Sequence, residues 1–399
     1  MSKPLDGLRI LDLTRLLPGP ALSMHLADLG ADVIKVEDTG EGDYMRSFPP
    51  LVLNEDGVEI NAAFENVNRG KRSIRLDLKQ AQGRDLLLRL VDTADALVEG
   101  FRPGVMDRLG LGWNVLHERN PKLVFCSLTG YGQNGPLALK AGHDLNYCAM
   151  TGVLDQIRAE GQPAMPNLQI GDLLGGTLTA LSALLAALLG AQRSGRGSRV
   201  DAAMTDGLLV HHIFPHGDLD AGRTPVAGKT LLTGGVPCYR LYETADGQHL
   251  AVGALELKFW QAFCDAAGLA QLREQHWARG LAAGSDTSDA VAKTVAARIR
   301  EKTRQEWEEV FAGVDACVSP VLAPAEALAH PHHHARGLVH RRGNVTAVGP
   351  LAVIDGHGIA DARAPRSGEH TRELLSELGL DENAIAAALA ARAAGQSDR

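Results

Sequence analysis

The sequence predicts an α/β protein: a large domain built on a Rossmann-like, doubly wound parallel sheet, with a smaller α+β domain. Three observations predict it. Short apolar runs alternate with stretches of helical spacing through the first half of the chain, the pattern of βαβ units. That alternation stops near residue 210 and gives way to a hairpin and amphipathic helices. The composition is rich in small residues, with 44 glycines and 4% aromatics in 399 residues, which suits such an enzyme better than a β sandwich.

Taken in order, Leu8–Thr14 is an apolar run that reads as the first strand, broken by Pro18-Gly19-Pro20. Ala21–Leu29 has helical spacing and Gly30 stands where a C-cap glycine belongs. Ala31–Glu37 is the next strand, so the first unit is βαβ with a right-handed crossover. Ser73–Leu78, Gln80–Val91 and Ala96–Glu99 repeat the pattern, and a short helix at Val115–Arg119 leads into strand Leu123–Thr129. Residues 171–193 form a long apolar helix. Thr177, Thr179 and Ser182 interrupt it, and its run Leu178–Ala191 is short of the ~20 apolar residues a membrane span needs, so a buried core helix is expected. Ser198–Met204 is a strand followed by a helix through His211. Tyr239–Thr244 and His249–Gly253 flank Asp246-Gly247, a strong hairpin signal. Helices are expected at Leu257–Ala267, Ala290–Lys302, Gln305–Phe311, Gly368–Leu378 and Glu382–Ala394. The domains expected are 1–212, a linker at 213–235, a small domain at 236–329, and a segment 330–399 that returns to the large domain.

A net charge of 40 − 48 = −8 argues against a nucleic-acid binder. The five cysteines show no close pairing and no Cys-x-x-Cys, so neither a disulfide framework nor a zinc site is indicated. With no apolar signal core in the first residues, a cytoplasmic protein is expected.

Several motifs match by letter only. Gly130-x-Gly132-x-x-Gly135 follows a strand, but Pro136 and Gly142 interrupt the place where a helix would have to open on a pyrophosphate. A mobile glycine loop is the better reading. His332-His333-His334 lacks a carboxylate or second histidine at helical spacing and reads as a solvated loop. No Gly-x-Ser-x-Gly and no P-loop occur. Lys71, Arg72, Arg75, Lys79, Arg102 and Arg108 cluster around early strand ends, where cations suit a phosphate-bearing ligand, although such residues are commonly plain surface.

The stretch with the strongest chemical content is Gly142-His143-Asp144-Leu145-Asn146-Tyr147, taken with Gly171-Asp172. It supplies an imidazole and a carboxylate, each beside glycine, which suggests acid/base chemistry on a substrate held between them. Alone, His143 could be a structural histidine and Asp172 a helix cap.

The ordered blocks of the chain resemble the family III CoA transferases (CaiB/BaiF), the group that includes the α-methylacyl-CoA racemases. The likeness runs through Pro4–Leu13, Leu26–Glu37, Arg69–Ile74, Glu99–Gly104, Ser127–Pro136 and Gly368–Thr371. Family transferases use one aspartate, matching Asp172, as a nucleophile. Racemase members carry Gly-His-Asp-x-Asn-Tyr, present here at Gly142–Tyr147, and a glutamate in Gly-Ala-x-Glu, matching Glu256. The resemblance therefore implies racemisation of 2-methylacyl-CoA thioesters through an enolate, with His143 and Asp172 as opposed bases and Glu256 bonded to the imidazole. It implies CoA contacts at Leu76, Lys79, Gly100, Phe101, Arg102, Arg108, Gly142, Tyr147 and Gly171. Where racemases often place an arginine after the second strand, this chain has Asp38. The resemblance further implies an intertwined homodimer, acyl-CoA as the partner molecule, and no permanently bound cofactor, CoA entering as part of the substrate. The helix bearing Asp172 offers backbone N–H groups that could receive the enolate oxygen. The alternatives are CoA transfer through an Asp172 acyl-enzyme, and a catalytically silent acyl-CoA binder.

Overall fold

A computed structural model describes residues 2–54, 57–159 and 161–397. The chain divides into two compact units: residues 1–151, 166–211 and 331–399 form the first, and 152–165 with 212–330 the second. Residues 152–165 thus belong with the second unit, not with the large domain expected over 1–212.

The first unit is a seven-stranded sheet. Six strands are parallel: β1 (Arg9–Leu13), β2 (Asp32–Glu37), β3 (Arg72–Leu76), β4 (Ala96–Glu99), β5 (Val124–Thr129) and β6 (Arg199–Ala203). Their spatial order is β6-β5-β4-β1-β2-β3. The C-terminal pair Ala394–Gly395 closes the β3 edge antiparallel, Ala394 opposite Leu76. The chain starts at the centre, runs outward through β2 and β3, then returns to lay β4 on the other side of β1. The gap between the carboxyl ends of β1 and β4 is therefore the point where strand order reverses, the place where open α/β sheets bind ligands.

Continuous apolar strands are what a sheet covered on both faces requires. Leu11, Ile34, Ile74, Leu97 and Phe125 pack with Leu87 and Leu90 of helix Ala81–Val91 and with Leu374, Leu375 and Ile385 of the terminal helices. Four further helices matter to the site: α1 (Pro18–Asp28), α2 (Asp144–Met150), α3 (Gly171–Ser194) and α4 (Met204–His211). Helix α1 begins at Pro18, three residues earlier than the spacing suggests, because proline is tolerated in a first turn whose N–H groups have no partner anyway. Gly30 ends the turn after α1 at φ +106°, a conformation open to glycine.

Helix α3 opens with wide π-type turns over Gly171–Leu178 and continues as an ordinary α-helix over Thr179–Ser194. Among the described residues it is the one helix long and apolar enough to cross a membrane. Here it lies on β5 and β6 with Ala180, Leu181, Leu184 and Leu188 buried.

The second unit contains a three-stranded antiparallel sheet, Tyr239–Glu243, His249–Gly253 and Val318–Pro320, the first two joined by the Asp246-Gly247 turn. Its core stacks Trp260, Phe263, Phe311 and Trp307 in a row of rings. Residues 213–235, expected as a linker, contain the helix Ile213–Asp220. The absence of a clear apolar stripe hid it: no residue of that helix is buried in its unit. The three histidines lie in a short helix, Pro331–Ala335, and not in a loop.

Candidate active site

The site grows from the carboxyl edge of the sheet. Strand β4 ends in Glu99, which is buried, and its carboxyl accepts the N–H of Phe101 at 2.8 Å. That bond sets the turn Gly100-Phe101-Arg102 at the point where strand order reverses. A Cβ on Gly100 would come within 3.8 Å of Thr14, just past β1, and 3.6 Å of the Leu128 carbonyl in β5. Burial pushes the Glu99 carboxyl above the usual range. Arg102 and Arg108 are exposed around this turn, and Lys79 is exposed beyond the end of β3.

The loop after β1 rests on four fully buried charges. Asp12 accepts from Ser23 Oγ at 2.6 Å, from Lys71 Nζ at 3.0 Å and from the Thr14 N–H at 2.9 Å. Lys35 pairs with Asp43 at 2.9 Å and donates to the Thr14 carbonyl at 3.1 Å. Asp43 in turn accepts the Leu16 N–H at 3.3 Å, holding Leu16 at φ +64°. Although burial opposes its charge, Asp12 is drawn well below the usual carboxylate range by Lys71 and Lys35, and burial lowers Lys71 to about 8.

The expected phosphate-binding cations are accordingly revised. Lys71 is a core residue bonded to Asp12, Asn68 and the Pro20 carbonyl. Arg72 is occupied by Asp32, Glu373 and Glu377, and Arg75 by the carbonyls of Asp38, Thr39 and Gly40. Leu76 has its side chain in the hydrophobic core, so only its backbone neighbourhood is open to a ligand. Asp38 pairs with Arg15 at 2.6 Å, which places a guanidinium beside the position where an arginine was expected from the resemblance.

Tyr147 and Asp172 are brought to the same edge by side-chain contacts. The Tyr147 ring covers Gly130, the first residue beyond β5, where a Cβ would be 2.3 Å from the ring. Its hydroxyl donates to the Gly142 carbonyl at 2.6 Å, and Tyr131 meets it edge-on at 5.2 Å. Turns and bends follow Gly130, and no helix opens before Asp144, as the disrupted glycine pattern implied. His143 sits at the N-cap of α2 with an exposed ring, and its N–H is taken by the Asn146 side chain at 3.0 Å.

The turns that carry Asp172 are anchored at both ends. Thr177 Oγ1 donates to the Pro18 carbonyl at 2.7 Å, which fixes α3 to the start of α1. The Asp172 N–H donates to Asp144 Oδ1 at 2.9 Å, and the Leu173 N–H to the Gln169 carbonyl at 2.9 Å. Those bonds correct one expectation: the N–H of Asp172 is already used and is not free to receive an enolate oxygen. Among the described residues no side chain pairs with the Asp172 carboxyl. Burial, reinforced by the nearby Asp144 charge, raises it to about 6. Burial also lifts Tyr147 to about 12 and Cys148 to about 11.

Glu256 lies in the second unit, at the N-cap of helix Leu257–Ala266. A cavity of about 600 Å³ lies elsewhere in the first unit, lined by Ile60, Phe64, Val345, Ile359 and Arg363 among others, and touches none of the expected site residues. Among the described residues no cluster of three His, Cys, Asp or Glu could hold a metal ion. Two groups escaped the sequence reading: Asp144, quoted only as part of a motif, and the buried Asp12–Lys35–Asp43–Lys71 set, whose members are scattered over 60 positions.

The family model described as CoA-transferase family III matches residues 5–371. The human α-methylacyl-CoA racemase is 35% identical over 389 residues, covering 96% of this chain and 95% of that protein. The mouse succinyl-CoA:glutarate CoA-transferase is 32% identical over 391 residues, covering 96% and 88%. The crystal structure of a CaiB/BaiF family protein from Brucella suis superposes with a TM-score of 0.81 at 29% identity, covering 95% of this chain and all of that one.

Proposed function

The chain belongs to CoA-transferase family III, and from that premise we propose that it racemises 2-methylacyl-CoA thioesters by moving the α-proton between His143 and Asp172. The observation that carries this reading is the Asp172 carboxyl: raised to about 6 and, among the described residues, without an ion-pair partner, it can both give and take a proton near neutral pH. His143, exposed at the adjoining helix start, is the second proton-transfer group of this proposal.

One base removes the α-proton, the electron pair moves into the thioester carbonyl as an enolate, and the conjugate acid of the other base returns a proton to the opposite face. No other reactant is consumed. Lys79, Arg102 and Arg108, exposed around the carboxyl edge, are assigned to the phosphates of CoA. Glu256 is kept as a third catalytic group, and the enzyme is taken as a homodimer.

The test is exchange of the substrate α-proton in deuterated water. His143→Ala is expected to lower exchange by about 10²-fold or more, with the acyl-CoA still bound in calorimetry. Full exchange in that variant removes histidine from the chemistry. A second reading is favoured by one observation: transferase relatives match at nearly the same identity and coverage as racemases. CoA transfer through an Asp172 acyl-enzyme would show as an adduct trapped by hydroxylamine and as CoA passing between two acids, without need of His143.

A further inference from the structure

The outer strand of the second unit's sheet, Tyr239–Glu243, is paired along one edge only. Its neighbour, His249–Gly253, turns alternate residues toward the third strand: the Gly253 N–H donates to the Cys317 carbonyl at 2.8 Å, and the Val321 N–H to the His249 carbonyl at 2.9 Å. Gly253, Ala251 and His249 stand opposite Tyr239, Leu241 and Glu243, so these three direct their own N–H and C=O groups outward. The Tyr239 N–H is taken by the Val236 carbonyl at 3.3 Å. Among the described residues nothing accepts the N–H of Leu241 or Glu243. Helix Asp286–Ile299 packs against this strand. Its Asp289, Ala292, Lys293 and Ala296, spaced to share one helix face, line an open groove of about 490 Å³ beside the free edge.

We propose that this groove takes an extended acidic peptide, which adds to the sheet as a fourth strand. Lysines and arginines at four positions line it against two carboxylates. Lys229 pairs with Asp289 at 2.8 Å and Arg300 with Glu243, which leaves Arg240 and Lys293 uncommitted. Arg240 Nη1 meets Asp289 only at 3.6 Å, and among the described residues that buried atom has no hydrogen-bond partner. A peptide carboxylate supplies the acceptor it lacks. The alternation of the strand also fixes the pattern of the peptide. Arg240 and Tyr242 share one face, with Tyr242 buried in the core, while Leu241 is 60% exposed on the opposite face. A strand laid alongside meets a cation on one face and an apolar side chain on the other, so alternating acidic and apolar residues suit it. A second copy of this edge would bring two basic rims together, which like charge opposes.

The probe is a blocked hexapeptide alternating glutamate and valine, with its lysine–valine counterpart as control, titrated into the full chain by calorimetry. The acidic peptide is expected to bind at least about tenfold more tightly than the basic one, and to weaken as salt is raised. Hydrogen exchange of the backbone amides over Tyr239–Glu243, read by mass spectrometry, should slow by about fivefold or more on binding, because the outward N–H groups gain partners. Leu241→Pro deletes one outward N–H and spares the ladder to His249–Gly253, in which that group takes no part. It is expected to weaken the acidic peptide by about fivefold or more. Should that variant fail to fold, Lys293→Glu, on the exposed side of its helix, is expected to weaken it by about tenfold. No preference for the acidic peptide in the parent, binding that leaves the amides of Tyr239–Glu243 unprotected, or parental affinity in either folded variant overturns the proposal. So do edge amides already protected in the free protein by a second copy.

Discussion

Asp172 illustrates how a functional side chain works against the stability of its own fold. In the unfolded chain its carboxyl would ionise near 3.8; folded, it is raised to about 6. Stability from this group is therefore fully present below pH 4 and declines as pH rises through about 6, because the folded protein must then hold a charge that burial and Asp144 oppose. Asp172→Asn should be more stable than the parent at pH 8, by on the order of 1–2 kcal/mol once solvent screening of a partly exposed group is allowed for. The gain should vanish at pH 4. Urea denaturation at the two pH values checks it, and equal differences at both would show that the carboxyl carries no such strain. The chemical signal at this scale was legible: an imidazole and a carboxylate beside glycines stand out in a sequence. The environment that tunes them was not, since burial and the Asp144 charge come from residues brought together by folding.

Among the elements, the seat of α3 is decided by glycines. A Cβ on Gly175 would lie 2.4 Å from the Met204 carbonyl, and one on Gly207 would lie 2.3 Å from the Gly175 carbonyl, so α3 and α4 cross backbone to backbone. Neither neighbour can yield, because both are main chain. Gly207→Ala should destabilise the first unit by about 1–3 kcal/mol through overpacking and displace the turn carrying Asp172. Thermal denaturation and the exchange rate should fall together; a variant with unchanged melting temperature and activity would show that the helices separate freely. The sequence placed both helices to within a residue or two, since apolar spacing is a local property. It did not foresee the π-type opening of α3, which depends on the Thr177–Pro18 and Asp172–Asp144 contacts at its start. Nor did it find helix Ile213–Asp220, where nothing buried within the unit imposes a stripe.

For the whole molecule, the two ends of the chain meet in one sheet. The C-terminal strand pairs with β3, and Leu374, Leu375 and Ile385 complete the core that the N-terminal units begin. A chain cut before these helices would leave that core open. The same unit exposes Leu209 and Val210 at the end of α4, and the second unit exposes Ile213, Phe214 and Leu219. Apolar side chains of this size in water are the usual mark of an interface, which supports the homodimer proposed above. Sedimentation is expected to give about twice the 42.4 kDa of one chain; a stable, active species at the mass of one chain would exclude the dimer.

By itself the sequence determined the elements and their order. Periodicity, proline and glycine placement act between near neighbours, so the alternation of strand and helix and the family likeness were written along the chain. Tertiary structure alone decided which charges are ligand candidates and which are framework. Lys71 and Arg102 look alike in a line of letters, yet one is sealed against Asp12, 59 positions away, and the other stands exposed where the strand order reverses. Burial and pairing depend on contacts distant in sequence, and a carboxylate such as Asp144 acquires its partner only when the chain has closed around it.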